Sequence, residues 1–471
     1  MRSRTAAVAF LLMLLLASCG ARLTRAERAA GIGMRGATST GGATTGVTTG
    51  SAGTGTGVGG TTGTGATTGA ATGTGTGGTG AAAAGCPAGT NTASDRGVTP
   101  TDITIATASD ASGVQAALFK STHYAIQAFA AMVNNQGGLC GRAIRPKLLD
   151  TKADSTANNA AVRQACDEAF ALVGSMSAFD NGGASAGESC GIPDLTAITV
   201  NGERAKAKNV YPIYPVRPDK LPIGTANYIK EKYKAPVIEN AAMFYLNAGV
   251  TKSNAEQRMK AYAAVGFKWT YVQEVQVLEA NYSPFVQKMK DKGIRYVNMV
   301  ANYQSIQKLL SAMDQAEWYP TVRDWDSVAY SPNFVVQGGQ PFTPADGSLV
   351  FLNTALIEEA SGNPEMQLYI QWLGRVAPNA KPDYFGLYAW SAGRLFQKVA
   401  TEVGRNLTRK AFLAAVQKIH SWDGNGLHAA HDTGSKIMSP CFTYLVITKS
   451  RFVRQSPASG FTCNKGDIVN T

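Results

Sequence analysis

The sequence predicts an α/β fold in two lobes, each a parallel sheet covered by helices. Three observations carry this. Short β-branched runs alternate with segments of helical period from residue 102 to residue 419. A proline-spaced stretch, "YPIYPVRPDKLP" at 211–222, interrupts the alternation, which then restarts. The body from Cys86 to Thr471 is too long for one ordinary domain.

The elements follow in order. "DITIAT" at 102–107 alternates and is β-branched, so a strand is expected there. Val114, Ala117, Leu118, Ala125, Ala128, Phe129 and Met132 recur at three- and four-residue steps, and "NNQGG" ends that helix with glycine. A strand at 144–149, a helix over 157–169, an apolar run at 170–176 and a strand at 195–200 complete a first unit. Such alternation implies a parallel sheet buried on both faces. Proline fixes φ and cannot donate to a ladder, so an interdomain crossing belongs near 211–222.

After the crossing come a helix over 223–233, a strand at 241–246, a helix to 265, a strand at 269–277 and a helix over 282–290. The strand "YVNMV" at 296–300 and a helix carrying Ile306, Leu309, Leu310 and Met313 follow, with 326–330 as the next strand. A strand at 349–352 and helices over 365–376, 384–403 and 408–419 read as a return to the first lobe. The tail "CFTYLVITKSRFVRQ" alternates with a break at Lys449-Ser450, which predicts a β-hairpin. The expected divisions are a first lobe over 86–215 and 346–438, a second lobe over 216–345, and a hairpin and tail over 439–471.

The chain begins as an export signal. Arg2 and Arg4 precede a short apolar run at 6–16, too short to span a bilayer as a mature helix. Small residues at 17 and 18 then precede Cys19, which resembles the lipobox of bacterial lipoproteins, where the signal is cut before a lipidated cysteine. That pattern expects residues 1–18 to be removed and Cys19 to carry lipid. Each buried lipid CH2 contributes about 0.8 kcal/mol, so several acyl chains hold a soluble body at a membrane. Past residues 19–35, the stretch 36–85 contains only Gly, Ala, Thr, Ser and Val. It cannot bury a core and is expected to be a disordered tether, with a root-mean-square span of roughly 40 Å.

Six cysteines remain for the body in an oxidising setting: Cys86, Cys140, Cys166, Cys190, Cys441 and Cys463. Sequence alone does not choose their connectivity. Pairing in chain order is expected, because each successive pair brackets one local unit. No C-x-x-C occurs, which leaves a zinc ribbon or thioredoxin-like site unsupported. The formal charge is +12, from 44 basic and 32 acidic residues, with the basic residues scattered. Scattering argues against nucleic acid and for a generally basic, solvated surface.

Three motifs suggest chemistry. Gly183-Ala184-Ser185-Ala186-Gly187 fits the G-x-S-x-G of a hydrolase nucleophile elbow. An elbow needs a strand running straight into the serine, whereas the apolar run here ends nine residues earlier. Ser185 therefore belongs in the first turns of a helix, as a buried or capping residue, where Gly182 and Gly183 let a ligand approach. His428 and His431 lie three apart on a glycine-rich loop and lack the helix and Glu of zinc hydrolases. The G-x-G-x-x-G at 31–36 has neither a preceding strand nor a following helix.

Taken in order, "DITIATASDASG", "MVNNQGGLCGRAIRPKLLDTKAD", "ALVGSMSAF" and "CGIPDLTAI" resemble the opening segments of branched-chain amino-acid-type substrate-binding proteins of ABC importers. The resemblance covers about residues 98–455. It implies the type I periplasmic-binding-protein fold: two α/β lobes, three hinge crossings and a ligand cleft between them. It also implies a non-enzymatic, lipid-anchored extracytoplasmic receptor without a cofactor or metal. Such a receptor, expected to be a monomer, closes its lobes on a small polar or aromatic solute (amino acid, amide or carboxylate) and passes it to an ABC permease. The alternatives are a serine hydrolase using Ser185 and a sensor or adhesin on the same fold.

In open parallel sheets, ligands sit beyond the carboxyl ends of strands. Those positions are Ser109 and Asp110, then Ser177, Ala178 and Phe179, then Thr199 and Asn201 in the first lobe. In the second lobe they are Asn247, Asn302, Tyr303 and Tyr330. The resemblance implies that Ser177 offers a hydroxyl to a ligand carboxylate and that 199–201 meets the ligand's amino or carboxylate end. Two departures tell against an α-amino acid. The turn at 247–250, "NAGV", lacks the family's tyrosine, and the nearest acid to Tyr330 is Asp326, at the wrong end of its expected strand. A neutral, amide-like or aromatic carboxylate ligand fits as well.

Overall fold

The protein is described by a computed structural model covering residues 85–113, 116–464 and 466–471. The expected signal, Cys19 and nearly all of the tether lie outside the described residues. In the first lobe, β1 (Asp102–Ser109) is followed by α1 (Ala116–Asn135), β2 (Ala143–Asp150), α2 (Ser155–Glu168), β3 (Ala171–Val173), α3 (Ala184–Cys190), β4 (Asp194–Leu195) and α4 (Gly202–Lys206). The four strands pair in parallel in the order β2-β1-β3-β4, with β1 and β2 in register along their whole length. Of the run expected as a strand at 195–200, only Leu195 joins the ladder, together with Asp194 just before it. Beyond them it leaves the sheet, and Ile198 bridges Tyr214 in the crossing.

The chain then enters the second lobe through β5 (Lys220–Pro222), α5 (Gly224–Tyr233) and α6 (Ala235–Ile238). There follow β6 (Ala241–Leu246), α7 (Thr251–Ala263), β7 (Trp269–Val275), α8 (Ser283–Asp291), β8 (Tyr296–Val300), α9 (Tyr303–Gln315) and β9 (Val322–Trp325). The strand expected at 326–330 thus lies four residues earlier, and 327–329 instead form a 3-10 turn capped by the Asp326 carboxylate. Asp324 made that segment look polar in sequence. It is buried within the strand because the Tyr296 and Tyr444 hydroxyls donate to it, at 2.7 and 3.2 Å.

A small ribbon, β10 (Val336–Gln337) with β11 (Gln340–Pro341), precedes β12 (Leu349–Leu352). That strand was expected to open the return to the first lobe. It pairs in parallel with β9, because its burial on both sides suits a place inside the larger sheet. The return is made by helices alone: α10 (Pro364–Val376), α11 (Tyr384–Val403) and α12 (Arg409–Val416). The chain crosses once more to β13 (Thr443–Thr448) and β14 (Arg451–Ser456), which complete a seven-stranded sheet ordered β14-β13-β12-β9-β8-β6-β7. Lys449 and Ser450 take positive φ in the hairpin turn, and the Asp346 carboxylate accepts both of their backbone N–H groups. Finally β15 (Ile468–Asn470) pairs antiparallel with β5.

Three disulfides join Cys86 to Cys140, Cys166 to Cys190 and Cys441 to Cys463, the chain-order pairing. Each ties a loop to the unit it brackets; the last holds the tail against the hairpin. Among the described residues no helix is long and apolar enough to cross a membrane.

The first lobe's core forms where α11 lies against α1. Phe119 meets Phe385 edge-on with centroids 4.8 Å apart, and Phe129 meets Trp390 at 6.4 Å. Gly393 permits this approach, since a Cβ there would stand 2.5 Å from the Phe129 ring. Gly393→Ala is expected to cost roughly 1–3 kcal/mol by overpacking, read as a lower urea midpoint with an unchanged slope.

Candidate functional site

The loops that leave the carboxyl ends of both sheets face one another and enclose a cavity of about 240 Å³. Its first-lobe wall comes from Leu118 and Phe119 on α1, from Met176, Ala178 and Phe179 after β3, and from Phe385 on α11. Its second-lobe wall comes from Leu246 at the end of β6 and Ala248 through Thr251 beyond it, from Val300 at the end of β8 and Asn302 beyond it, and from Phe351 on β12. The hinge contributes Tyr214, Val216, Leu221 and Met438.

Polar side chains in the lining are largely committed to the backbone. Thr199 Oγ1 donates to the Val216 carbonyl at 3.2 Å, Thr251 Oγ1 donates to the Ala248 carbonyl at 2.9 Å, and Asn302 caps α9 by accepting from the Ser305 N–H at 2.9 Å. Among the described lining residues only Arg258 and Asp326 carry charge. Arg258 Nη1 and Nη2 each lie 3.4 Å from the same Asp326 oxygen, Nη1 also donates to Asn298 at 2.9 Å, and the guanidinium faces the Phe351 ring at 5.5 Å. Burial pushes the Asp326 carboxyl up and Arg258 pulls it back down.

Of the positions expected from sequence, Ala178, Phe179, Thr199 and Asn302 line this cavity. Ser109 and Asp110 sit beneath it, fully buried. Ser109 Oγ accepts from the Thr122 hydroxyl and the Met176 N–H, and Asp110 accepts from the Ala178 N–H at 2.9 Å and from Thr151. They shape the turn that presents Ala178. Ser177 accepts from the Phe179 N–H within the same turn. Asn201 donates to Asp180 at 2.6 Å and lines a neighbouring, more polar space of about 360 Å³ that shares Val200, Val216, Val250, Asn254 and Gln257 with the cavity. Asn247 is exposed outside it, and Tyr303 is buried in the core. Tyr330 is buried too, donating to Glu358 at 2.5 Å and accepting from the Ile357 N–H.

Asp326 corrects an expectation. Because β9 ends at Trp325, this acid stands at the carboxyl end of its strand and faces the cavity. The second-lobe carboxylate is therefore present, though Arg258 already holds it. Sequence reading missed Arg258, Asn254 and Gln257. The available signal was a polar stripe at Thr251, Asn254 and Arg258 beside the buried Ala255 and Tyr262, on the helix that follows β6.

The serine motif resolves otherwise than expected. Ser185 lies in α3, is exposed rather than buried, and does not cap; the N-cap is Gly183, without a side-chain bond. The preceding strand ends at Val173, so no strand-to-helix elbow exists. Gly182 and Gly183 serve close packing, not ligand approach: added Cβ atoms would meet the Ser155 carbonyl and the Val162 side chain. The useful residue of that stretch is Asp180, which accepts the N–H groups of Val200 and Asn201 at 2.8 and 3.0 Å and so fixes the adjoining wall.

The two histidines belong to the hinge. His428 stacks on Tyr388 with centroids 5.1 Å apart, and His431 packs on Tyr214 at 5.2 Å. His428 Nδ1 can only donate to the Ala429 carbonyl, which fixes Nε2 as the acceptor of the Ser391 hydroxyl. Burial holds His428 near 4, so both rings stay neutral at ordinary pH. Thr354 bridges His428 and Tyr388 donates to Asn353, so the second and third crossings run side by side here.

Behind Arg258, burial pushes the Asp324 carboxyl up to about 7, opposed by Tyr296, Arg258 and Tyr444. A raised carboxyl means the folded state holds the proton more tightly. That contribution is full below the ordinary carboxylate range and is lost as pH rises through about 7. Asp324→Asn is therefore expected to gain stability relative to the parent between pH 4 and 8. Paired calorimetric melts across that range check it; a difference that does not change with pH would contradict it.

A family model described as periplasmic binding protein matches residues 102–447. A search of curated proteins finds no match. Among solved structures, the chain is similar to a fatty acid ABC transporter substrate-binding protein from Thermomonospora curvata at 16% identity and TM-score 0.67, covering 79% of this chain and 95% of that one. It is also similar to the branched-chain amino acid transporter substrate-binding protein LivJ of Streptococcus pneumoniae, solved with isoleucine, at 14% identity and TM-score 0.63, covering 75% of this chain and 100% of the other. A solute-binding protein of an R. palustris ABC transporter, solved with 4-hydroxybenzoate, matches at 14% identity and TM-score 0.63, over 78% of this chain and 98% of that one. At these identities the structural likeness speaks for the fold alone.

Proposed function

The chain belongs to the periplasmic binding protein family, an extracytoplasmic solute receptor and not a serine hydrolase, and on that premise we propose that it binds a small solute with an apolar body in the cleft. One observation carries the choice of ligand: the cavity wall is apolar from both lobes, and the single charged pair among its described residues is internally matched. An α-amino acid needs separate partners for its ammonium and its carboxylate, and its desolvation is repaid only if both are met. Aromatic or aliphatic solutes with one polar end suit the wall better.

Delivery to an ABC permease, a monomeric state and attachment through lipid on Cys19 complete the proposal. Three crossings packed side by side between two separate sheets support lobe closure as the binding motion. The anchor is tested by fractionating cells that produce the full chain. Cys19→Ala should move the protein from the membrane to the soluble fraction.

Ligand binding is tested by thermal shift with a panel of aryl and alkyl amides, alcohols and carboxylates. At 100 times its dissociation constant a ligand adds about 2.7 kcal/mol, enough for a shift of a few degrees. Ala248→Trp, which fills the cavity from a half-buried loop position, should abolish the shift and leave the unliganded melting temperature close to the parent's.

A further inference from the structure

We infer that the Arg258–Asp326 pair selects solutes whose polar end is uncharged and can donate and accept hydrogen bonds side by side, such as a primary amide, a lactam or an alcohol. This rests on the proposed solute-binding role and deepens it.

The argument is one of charge balance in a dry wall. The pair's side chains are each 14% exposed and are the only charges among the described residues that line the cavity. Asp326 also accepts the Val328 N–H at 3.2 Å, so the 3-10 turn after β9 holds it in place. The guanidinium cannot swing away from it freely, because Asn298 Oδ1 takes Nη1 at 2.9 Å and the Asn298 amide in turn donates to the Asp324 carbonyl at 2.5 Å.

With one cation and one anion fixed together, the wall presents no net charge. Asp324, two residues earlier within β9, lies behind Arg258 and does not line the cavity. Burial lifts its carboxyl to about 7, so it adds either nothing or a negative charge, never a positive one. A carboxylate entering this cavity therefore meets no unspent cation, and an ammonium meets no unspent anion. Each would be desolvated without compensation.

A neutral donor–acceptor head behaves differently. Both guanidinium contacts to Asp326, at 3.4 Å, are longer than the 2.7–2.9 Å of a close charged hydrogen bond, and both fall on one oxygen. An amide can bridge them, its carbonyl accepting from Arg258 and its N–H donating to Asp326, while its body meets Phe119, Phe351 and Phe385. Both partners keep their charge compensation throughout.

The test is calorimetric titration of the parent chain with matched amides, carboxylates and α-amino acids on phenyl-alkyl and hexyl bodies, repeated with Asp326→Asn. The parent should bind an amide at least tenfold tighter than its carboxylate, with the amino acid weakest. Asp326→Asn frees Arg258 and should reverse the preference between amide and carboxylate. A parent that binds the carboxylate as tightly as the amide would overturn the inference and leave the receptor reading standing. So would an unchanged ratio in a folded Asp326→Asn. If no member of any series binds the parent, the receptor reading falls and takes this inference with it. Should Asp326→Asn fail to fold, the parent's own ratio still decides.

Discussion

Parallel strands cannot be joined by a tight turn, and that constraint shapes the rest of this protein. Each parallel pair needs a crossover helix, the helices cover both faces of the sheet, and every loop that is free to meet a ligand is gathered at the strands' carboxyl ends. Two such sheets, facing each other at those ends, leave a cleft. The chain passes between them at Tyr214, at Asn353 and at His428, and the three crossings are packed into one aromatic knot. The antiparallel additions, β13 and β14, extend the second sheet at its far edge and leave the cleft untouched.

Within that frame, polarity is placed by burial. Ser109, Asp110, Ser177 and Asp180 would look like ligand contacts in a list of turn residues, yet each is spent on holding a loop. Their work leaves Ala178, Phe179 and Val200 to line the cavity. Among the described lining residues the second lobe supplies the only charges, and it supplies them as a pair. The result is a wall that rewards apolar area, which contributes about 25 cal/mol per Å², and tolerates one small polar group.

Much of this was legible in the residues. The strands at 241–246 and 296–300 and the helix at 384–403 fall where periodicity puts them, because their apolar residues recur without a competing polar pattern. The hairpin break at Lys449-Ser450 was visible for the same reason. The site was less legible. "VRDW" hides a strand, since the burial of Asp324 depends on two tyrosines distant in sequence, and the misplaced strand put Asp326 at the wrong end. Phe119, Tyr214, Arg258 and Phe385 come from a helix, a crossing, a second helix and a late return. Only the folded arrangement makes them neighbours.

The central claim is that the two lobes close over a solute held in the apolar cavity. It is tested most directly by the distance between spin labels at Ala160 on α2 and Lys290 on α8, both exposed, measured with and without a solute that raises the melting temperature. A single shorter distance distribution in the presence of solute is the predicted result. A distribution that stays unchanged at saturating solute would contradict the account.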